Sequence, residues 1–512
     1  MIARDGHRVS LWQDSVPPYQ SFTEVAESGK YDVIIVGGGI TGLSTALLLQ
    51  KAGKSCLVLE ANTLCFGTTG GTTAHLNTLL DTPYTTIRKN FNTDSAKLIA
   101  EATAGAIQLI RENVKEYQID CELEETSAFL FSQNKDEDKE LEEISGATMD
   151  AGVELRFPDA IPVPIPFNAT FEALGQAKFN PVRYVYGLAK AFERIGGHIK
   201  QHCRVTGVEE NETIEVQTSA GNYSCADLVY ATHIPPGVNL IHLRCIPYRS
   251  YAMAVTLEDD NYPEGLAYDM KDPYYYYRTQ IVDGQAYLIA GGRDHKTGED
   301  INTEMRFTEL EAHVRKYFKV KSVAYKWSSQ YFESADGLPY IGHLPGHPGH
   351  IYVATGFGGN GMVYSGVAAV VLRTLILNEE TPLSALLDPN RLKPVAGFTS
   401  FIGHNAHVAG ELISRLFSGE KLDELSALAP GEAKVVSYEG EKIAVFKDDS
   451  GAIHAINPVC THMKCEVKWN GAERSWDCPC HGARYNPEGK VLTGPADRDM
   501  QQVRVEELTS EK

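Results

Sequence analysis

Four residues near the C-terminal end have the types and spacing of a metal site. Cys460 and His462 form a C-x-H pair, and Cys478 and His481 form a C-x-x-H pair after 15 intervening residues. Two thiolates on one iron and two imidazoles on the other can hold a two-iron cluster. The alternative is zinc, but zinc knuckles favour C-x-x-C pairs, whereas the four cysteines here are spaced C-x4-C and C-x-C.

A glycine motif near residue 40 has the pattern of a nucleotide-binding loop. Gly37, Gly39 and Gly42 form G-x-G-x-x-G between a strand pattern at 33–36 and a helical pattern. The first glycine permits a tight turn, the second lets the backbone approach a pyrophosphate, and the third brings helix and strand together. Glu60 ends the next strand pattern, where its carboxylate can accept hydrogen bonds from ribose hydroxyls. The motif alone fits NAD as well as FAD.

A later pair of glycine-rich passages favours FAD. The passage at 336–342 reads DGLPYIG, and 354–362 reads ATGFGGNGM between a strand pattern and a helical pattern. A second helix N-terminus at the same cavity would suit the electron-rich end of a reduced flavin. The alternative is a structural turn. The cofactor residues predicted from these passages are Asp336, Gly356, Gly358, Gly359, Asn360, Gly361 and Met362.

These pieces resemble the D-amino-acid oxidase-like family of FAD-dependent oxidoreductases. The matching segments are VIIVGGGITGLSTA, GTTAHL, LVYATH, DGLPYIG and YVATGFGGNGM, in the family's order over about 31–375. The resemblance implies a Rossmann-like FAD-binding domain and an α+β substrate domain. It also implies oxidation of a small amine or amino acid by hydride transfer to flavin. Val205 is included among the expected cofactor residues. Because no cysteine stands at the matching late position in 328–337, we expect a non-covalent flavin.

Three residues are predicted to serve the substrate. Arg278 falls where relatives often place an arginine that binds a substrate carboxylate, and the alternative is a surface arginine on an edge strand. Tyr276 precedes Tyr277 in one strand pattern, so only one of the two can face the pocket. His75 is the histidine nearest to an attachment site for flavin, and the alternative is an ordinary loop histidine.

The segment 460–496 resembles the Rieske proteins of quinol-oxidising cytochrome complexes. The resemblance implies a [2Fe–2S] cluster on the four residues above and a disulfide between Cys465 and Cys480. Ala483 replaces the serine of that group, whereas its tyrosine is kept as Tyr485. Mononuclear iron oxygenases instead carry the Rieske domain before the catalytic domain. The whole chain resembles a bacterial family of FAD-dependent oxidoreductases with a C-terminal Rieske domain.

The elements that position these residues suggest an α/β fold followed by a small all-β domain. Helical and strand patterns alternate through the middle of the chain. After residue 379 the composition becomes proline-rich, a helix is predicted at 404–419, and short strands with Gly and Asp turns follow. The predicted divisions are an N-terminal arm (1–30), an oxidoreductase domain (31–385), a linker with a helix (386–425) and a Rieske domain (426–512).

Length and charge limit the classes of function. The chain has 512 residues and a formal net charge of −20. This charge argues against nucleic acid as a partner, because phosphate binding needs a basic face. The start of the chain lacks an apolar run, and the apolar stretch at 361–377 contains Arg373 and is short for a bilayer. We therefore expect a cytoplasmic protein that is not an integral membrane protein.

The combined sites predict an FAD enzyme that oxidises a small amine or amino acid. Its electrons would leave through the Rieske cluster to an external one-electron acceptor. In one alternative, an external donor reduces the cluster, the cluster reduces the flavin, and the flavin reduces a substrate. In another, the chain is a redox sensor or electron-transfer module with little turnover.

Overall fold

The computed structural model describes residues 4–300, 302–347, 349–391, 408, 420–421, 428–438 and 441–503. The helix predicted at 404–419 lies outside these residues, apart from Val408. A 3₁₀ helix spans Leu240–Arg244. The α-helices are α1 (Leu11–Asp14), α2 (Ile40–Lys51), α3 (Thr68–Gly71), α4 (Tyr84–Asn90), α5 (Thr93–Tyr117), α6 (Lys135–Asp150), α7 (Pro181–Arg194), α8 (Thr303–Tyr317), α9 (Gly361–Ile376) and α10 (Pro382–Leu387).

The strands form two large sheets and two small ones. In chain order they are β1 (Ser28–Val36), β2 (Cys56–Leu59), β3 (His75–Leu76), β4 (Glu124–Phe131), β5 (Leu155–Arg156), β6 (Thr170–Lys178), β7 (His198–Lys200), β8 (Val205–Glu210), β9 (Ile214–Thr218), β10 (Gly221–Tyr230), β11 (Cys245–Leu257), β12 (Leu266–Asp269), β13 (Tyr276–Val282), β14 (Gln285–Lys296), β15 (Val320–Ser334), β16 (Tyr340–His343), β17 (Ile351–Thr355), β18 (Glu420–Lys421), β19 (Ala433–Tyr438), β20 (Glu441–Lys447), β21 (Ile453–Ile456), β22 (Lys468–Asn470), β23 (Ser475–Asp477), β24 (Arg484–Tyr485) and β25 (Val491–Thr493).

The first large sheet has eight strands around a parallel centre. Its main order is β16, β17, β10, β1, β2 and β7, and β1 runs parallel to both β2 and β10. Residues 33–36 are buried and apolar, as expected where helices cover both faces of a parallel sheet. The predicted strand–loop–helix passages at 31–53 and 350–372 are confirmed. The carboxyl ends of β1 and β17 meet at one edge, which is where open α/β sheets bind ligands.

The second large sheet is mostly antiparallel and has nine strands. Its main order is β15, β11, β14, β13, β12, β4, β6 and β3, with β12 parallel to β4. Neighbouring residues of a strand face opposite sides of the sheet. Tyr277 of β13 accordingly packs in the apolar core with Phe307 and Leu310, while Tyr276 faces the other way. This sheet is the α+β part of the predicted fold.

Two four-stranded sheets form the C-terminal part. Strands β18–β21 make one and β22–β25 the other, which confirms the small all-β domain. Trp476 and Tyr485 are buried in its core together with the cysteines. The predicted domain divisions stay predictions, although β1 begins inside the predicted N-terminal arm and α10 crosses residue 385. None of the helices within the described residues combines the length and the apolar composition that a membrane span requires.

Candidate active site and metal centre

The first glycine loop turns sharply at the carboxyl end of β1. Gly37 has a φ of +114°, and a Cβ at this residue would lie 2.5 Å from the carbonyl oxygen of Ala231. A Cβ at Gly42 would lie 1.9 Å from the carbonyl oxygen of Gly37. The N-cap of α2 is Gly39, which makes no side-chain cap hydrogen bond, although Thr69 Oγ1 accepts from the first helical N–H at 3.1 Å. The start of α2 can therefore present its other backbone N–H groups to a phosphate.

Glu60 lies beside this loop, and both the loop and Glu60 line one cavity. Its Oε2 accepts a hydrogen bond from the Gly38 N–H at 2.7 Å, and its Oε1 accepts one from the Asn62 N–H at 2.8 Å. Burial raises the pKa of Glu60, and these two backbone donors oppose the rise. Val205 lines the cavity as well. Two of the predicted cofactor residues, Glu60 at the end of β2 and Val205 at the start of β8, thus line one cavity.

The second glycine loop, after β17, lines the same cavity of about 310 Å³. The structure places five of the predicted residues there: Gly358, Gly359, Asn360, Gly361 and Met362. Both glycine loops present mainly backbone atoms to the cavity, and this arrangement fits FAD.

Three predicted cofactor residues lie outside the cavity lining. Gly42 packs beneath the first loop, and a Cβ on Gly356 would contact Ser334 and Tyr340. Asp336 is buried and bonded by Arg391, with Nη2–Oδ1 at 2.8 Å and Nε–Oδ2 at 2.9 Å. These residues shape the loops rather than line the cavity, because their surroundings are filled by protein.

Arg278 is fully buried in β13, and it does not line the cavity. Its Nη1 donates to the carbonyl oxygens of Thr73 at 2.9 Å and Ala74 at 2.6 Å. Its guanidinium also lies 5.4 Å from the ring centre of Trp12. The structure therefore places Arg278 neither in the substrate pocket nor on the surface, the two alternatives that the sequence suggested. The guanidinium instead holds the turn that leads into His75.

Tyr276 and His75 do line the cavity. The His75 Nδ1 lies 2.6 Å from the Tyr268 hydroxyl, and the two rings of His75 and Tyr276 meet edge to face at 5.6 Å. Burial and the charges of Arg278 and Lys178 hold the pKa of His75 well below its usual range. Its Nε2 is buried and has no hydrogen-bond partner within the described part of the chain. His75 is therefore a neutral side chain of the pocket wall.

Two carboxyl groups missed by the sequence analysis, Asp81 and Asp294, also line the cavity. Asp81 accepts hydrogen bonds from the Gly359 N–H at 2.6 Å and the Tyr274 hydroxyl at 3.1 Å. Burial raises the pKa of Asp294 to about 7 despite hydrogen bonds from Ser250 and Tyr331. Asp294 lies in β14, which pairs with β13, the strand of Tyr276. Nothing local in the sequence marked Asp81.

The four predicted cluster ligands come together and are buried. The rings of His462 and His481 lie 5.0 Å apart, and Cys460 Sγ lies 3.2 Å from the Tyr485 hydroxyl. A hydrogen bond with Cys478 lowers the pKa of Cys460 from its usual value. The Nδ1 of His462 is buried without a hydrogen-bond partner among the described residues. Metal coordination would satisfy this nitrogen, so the donor set fits a [2Fe–2S] cluster.

Cys465 and Cys480 form the predicted disulfide, which clamps the two ligand loops together. The sulfurs of Cys465, Cys478 and Cys480 lie within 4.8 Å of one another. With two of them bonded to each other, a four-cysteine zinc site is excluded in this state. The remaining donors are two thiols and two imidazoles.

The histidine side of this site is packed against the first large domain. His462 Nε2 lies 3.1 Å from the Nδ1 of His242, a residue that sequence reasoning missed. His242 Nε2 lies 2.9 Å from the Pro235 carbonyl oxygen, and its Nδ1 accepts from the Asn239 N–H at 3.3 Å. The proton of His242 therefore belongs on Nε2, so the outer N–H of His462 donates to its Nδ1.

A second contact joins the cluster loop to the cavity wall. Gln330, which lines the cavity, donates from Nε2 to the Gly482 carbonyl oxygen at 2.8 Å. Gly482 directly follows the ligand His481. Residues 492–494 and 496–497 of the C-terminal domain themselves line the cavity. The two candidate sites therefore share a wall.

The chain is similar to known proteins along nearly its whole length. The family described as FAD dependent oxidoreductase matches residues 32–375, and the Rieske [2Fe-2S] domain matches residues 420–504. The Bacillus subtilis protein YhfW, named for a Rieske 2Fe-2S iron–sulfur site, is 33% identical over 96% of this chain and 97% of its own. Gamma-glutamylputrescine oxidoreductase of Escherichia coli is 24% identical over 72% of this chain and 89% of its own.

Solved structures show the same fold in the large domain. The crystal structure of glycine oxidase from Geobacillus kaustophilus superimposes with a TM-score of 0.57 at 17% identity. It covers 71% of this chain and 99% of the oxidase.

Proposed function

Because the chain belongs to the family of FAD-dependent oxidoreductases and carries a C-terminal Rieske [2Fe–2S] domain, we propose that it oxidises a small amine or amino acid and delivers the electrons through the Rieske site to an external one-electron acceptor. When bound, FAD takes up a hydride and the cluster carries one electron at a time. The carbon beside the substrate nitrogen loses a hydride and the nitrogen loses a proton, which leaves an imine. The two electrons then reduce two molecules of acceptor.

Each part of this reaction has residues suited to it. The loops at Gly37–Gly39 and Gly358–Met362 would hold the pyrophosphate and the flavin end of FAD, with Glu60 on the ribose. Cys460 and Cys478 would hold one iron, and His462 and His481 the other. Tyr276 and His75 line the cavity and would contact a small substrate there. These roles are proposals drawn from the family and from the positions of the side chains.

The observation that supports electron transfer inside the chain is the shared wall between the two sites. His462 donates to His242 of the large domain, and Gly482 accepts from Gln330 of the cavity lining. His462 is only 8% exposed, so this histidine edge is not open to an external partner in the docked state. An electron from the flavin cavity would therefore reach the cluster without leaving the protein.

Anaerobic stopped-flow mixing of the holoprotein with amines and amino acids tests this function. We expect bleaching of the flavin absorbance first and reduction of the cluster second. The second phase should have a rate independent of protein concentration, because transfer within one chain is unimolecular. A second phase that accelerates in proportion to protein concentration would contradict the proposed path. The reverse direction would be favoured if an external donor first reduced the cluster, and reduction of the flavin and then of a substrate followed.

Replacing His242 with leucine tests the role of the contact at His462. An acceptor on the outer N–H of a metal-bound histidine raises the basicity of the ligand. Its loss should favour the reduced cluster and raise the midpoint potential. A net hydrogen bond of about 0.5–1.5 kcal/mol corresponds to about 20–60 mV for one electron. Redox titration followed by electron resonance measures this shift.

Asn239→Ala is the matched control for His242→Leu. Asn239 caps the same 3₁₀ helix through its side chain, but the substitution leaves the His242 ring and the Asn239 N–H in place. We expect an unchanged midpoint potential for this control. Equal shifts in both variants would assign the effect to a disturbed helix rather than to the lost acceptor.

A further inference from the structure

One end of the cavity is walled by aromatic side chains. Tyr274 lies 5.7 Å from Tyr276 and 6.4 Å from Tyr268, measured between ring centres. With Tyr331, Asp81 and Asp294, these residues form what we call the tyrosine chamber, and all six line the cavity. Aromatic faces attract a cation through the negative potential of the ring.

The two carboxyl groups of the tyrosine chamber are held in fixed positions. Asp81 is bonded by the Gly359 N–H and the Tyr274 hydroxyl, and Asp294 accepts from the hydroxyls of Ser250 at 2.6 Å and Tyr331 at 2.9 Å. Burial raises the pKa of both carboxyl groups, and the charge of Asp81 further raises that of Asp294. Buried carboxylates are costly unless a positive charge compensates them.

Among the described residues, no arginine or lysine lines this end of the cavity, although the charge of Arg306 lowers the pKa of Asp294 from outside the lining. Arg204 is the only arginine or lysine among the described residues that line the cavity. It lies at the other end, beside Val205, and its Nη2 donates to the Val491 carbonyl oxygen at 3.1 Å. Arg278 is turned toward backbone carbonyls, and His75 is neutral. A substrate carboxylate in the tyrosine chamber would therefore meet two carboxyl groups and no opposite charge.

We propose that the tyrosine chamber recognises the positive charge of an alkyl amine and rejects substrates that also bring a carboxylate into it. The inference deepens the proposed function by selecting amines over amino acids. The substrate enters as an ammonium ion, R–CH₂–NH₃⁺; its nitrogen releases a proton to solvent, and its carbon would transfer a hydride to bound FAD. The product is the iminium ion, R–CH=NH₂⁺, so one positive charge is present before and after the step.

Binding of a matched pair of inert ions tests the charge preference without turnover. Butyltrimethylammonium and pentanoate have similar chain length and opposite charge. Their dissociation constants are measured by perturbation of the flavin absorbance of the holoprotein. We expect butyltrimethylammonium to bind at least about tenfold more tightly than pentanoate, because one interaction with a charged group changes affinity by about this factor or more. Tighter binding of pentanoate would overturn the proposal.

Two isosteric substitutions locate the preference. Asp294→Asn and Asp81→Asn should each weaken butyltrimethylammonium about tenfold to hundredfold, the effect of losing an interaction with a charged partner. Asp227→Asn is the matched control, since Asp227 is a buried carboxyl group of β10 that does not line the cavity. It should leave the dissociation constant nearly unchanged. Equal weakening in all three variants would overturn the assignment to the tyrosine chamber, and flavin content checks that each variant is folded.

Flavin reduction by butylamine, 1,4-diaminobutane, 4-aminobutanoate and norvaline separates this inference from the proposed function. We expect the two amines without a carboxylate to reduce the flavin faster than the two amino acids, at least about tenfold by the same reasoning. Faster reduction by norvaline would overturn the inference and leave the proposed function standing. Failure of all four, together with Asp294-dependent binding of butyltrimethylammonium, would reject amine oxidation and retain cation recognition.

Discussion

Replacing Gly42 with alanine is expected to remove most of the bound FAD. A Cβ at this residue would lie 1.9 Å from the Gly37 carbonyl oxygen, so the loop and helix α2 must separate. Because the clash is with backbone, no side-chain rotation relieves it, and overpacking of this kind costs about 1–3 kcal/mol or more. The displaced loop would no longer present its N–H groups to the pyrophosphate. Flavin released from the purified variant measures the loss.

Iron content and a helix control make this result specific. All four proposed iron ligands lie in the C-terminal domain, so we expect two iron atoms per chain to be retained. Gly105→Ala is the matched control, because nothing lies within 4 Å of a Cβ at that helical residue. Alanine should stabilise this helix by about 1 kcal/mol and leave FAD bound. Normal flavin content in a folded Gly42→Ala protein would reject the close approach of loop and helix.

The features that could be predicted from the sequence are those determined by a short stretch of chain. Gly37 needs a positive φ and Gly42 needs a close backbone approach, and such requirements restrict the residue type at the position itself. The same holds for the two cysteine–histidine pairs, whose spacing places the ligands on two neighbouring loops. The disulfide of Cys465 and Cys480 followed from resemblance to a known group. Each of these features depends on a short stretch of chain, so it was readable without a fold.

Long-range placement was not predictable from the sequence. Arg278 was assigned to a substrate carboxylate, but its guanidinium bonds the carbonyl oxygens of residues 73 and 74, some 200 positions earlier. Asp81 faces the cavity because the loop after β17 closes on it. His242 meets His462 only because the two domains dock. No local pattern encodes these contacts, since the partners belong to elements distant in the chain.

A buried group of charges lies where the C-terminal domain contacts the rest of the chain. Arg484 is fully buried, with its Nη1 at 3.1 Å from Asp5 Oδ2 and its Nε at 3.1 Å from Asp477 Oδ1. Asp5 belongs to the N-terminal segment, so this guanidinium joins the two ends of the chain. Glu473 nearby accepts hydrogen bonds from the Ser328 N–H at 2.8 Å and its hydroxyl at 2.6 Å.

Replacing Arg484 with methionine should lower the free energy of unfolding by about 3–5 kcal/mol, because it leaves buried carboxylates with too little positive charge. Urea unfolding of the holoprotein at pH 7 measures this loss. Arg474→Met is the matched control. Its exposed ion pair with Asp449 should contribute less than about 1 kcal/mol. Similar losses in the two variants would contradict a special role for the buried charges.

The pH dependence of the loss distinguishes missing charge from missing volume. Burial raises the pKa of Asp5 and Asp477, but the nearby guanidinium groups, Arg484 foremost, outweigh burial and hold both pKa values below the usual range. In the wild type, these carboxylates therefore stabilise the fold above their ordinary pKa of about 4, and the contribution is lost as pH falls through the lower native values. Without Arg484, burial should raise the pKa values of Asp5 and Asp477. Acidification should then protonate these carboxylates and remove part of the destabilisation of the variant. The difference in unfolding free energy between wild type and Arg484→Met should accordingly shrink from pH 7 to pH 5. A difference that stays constant over this range would mean that packing, not charge, accounts for the loss.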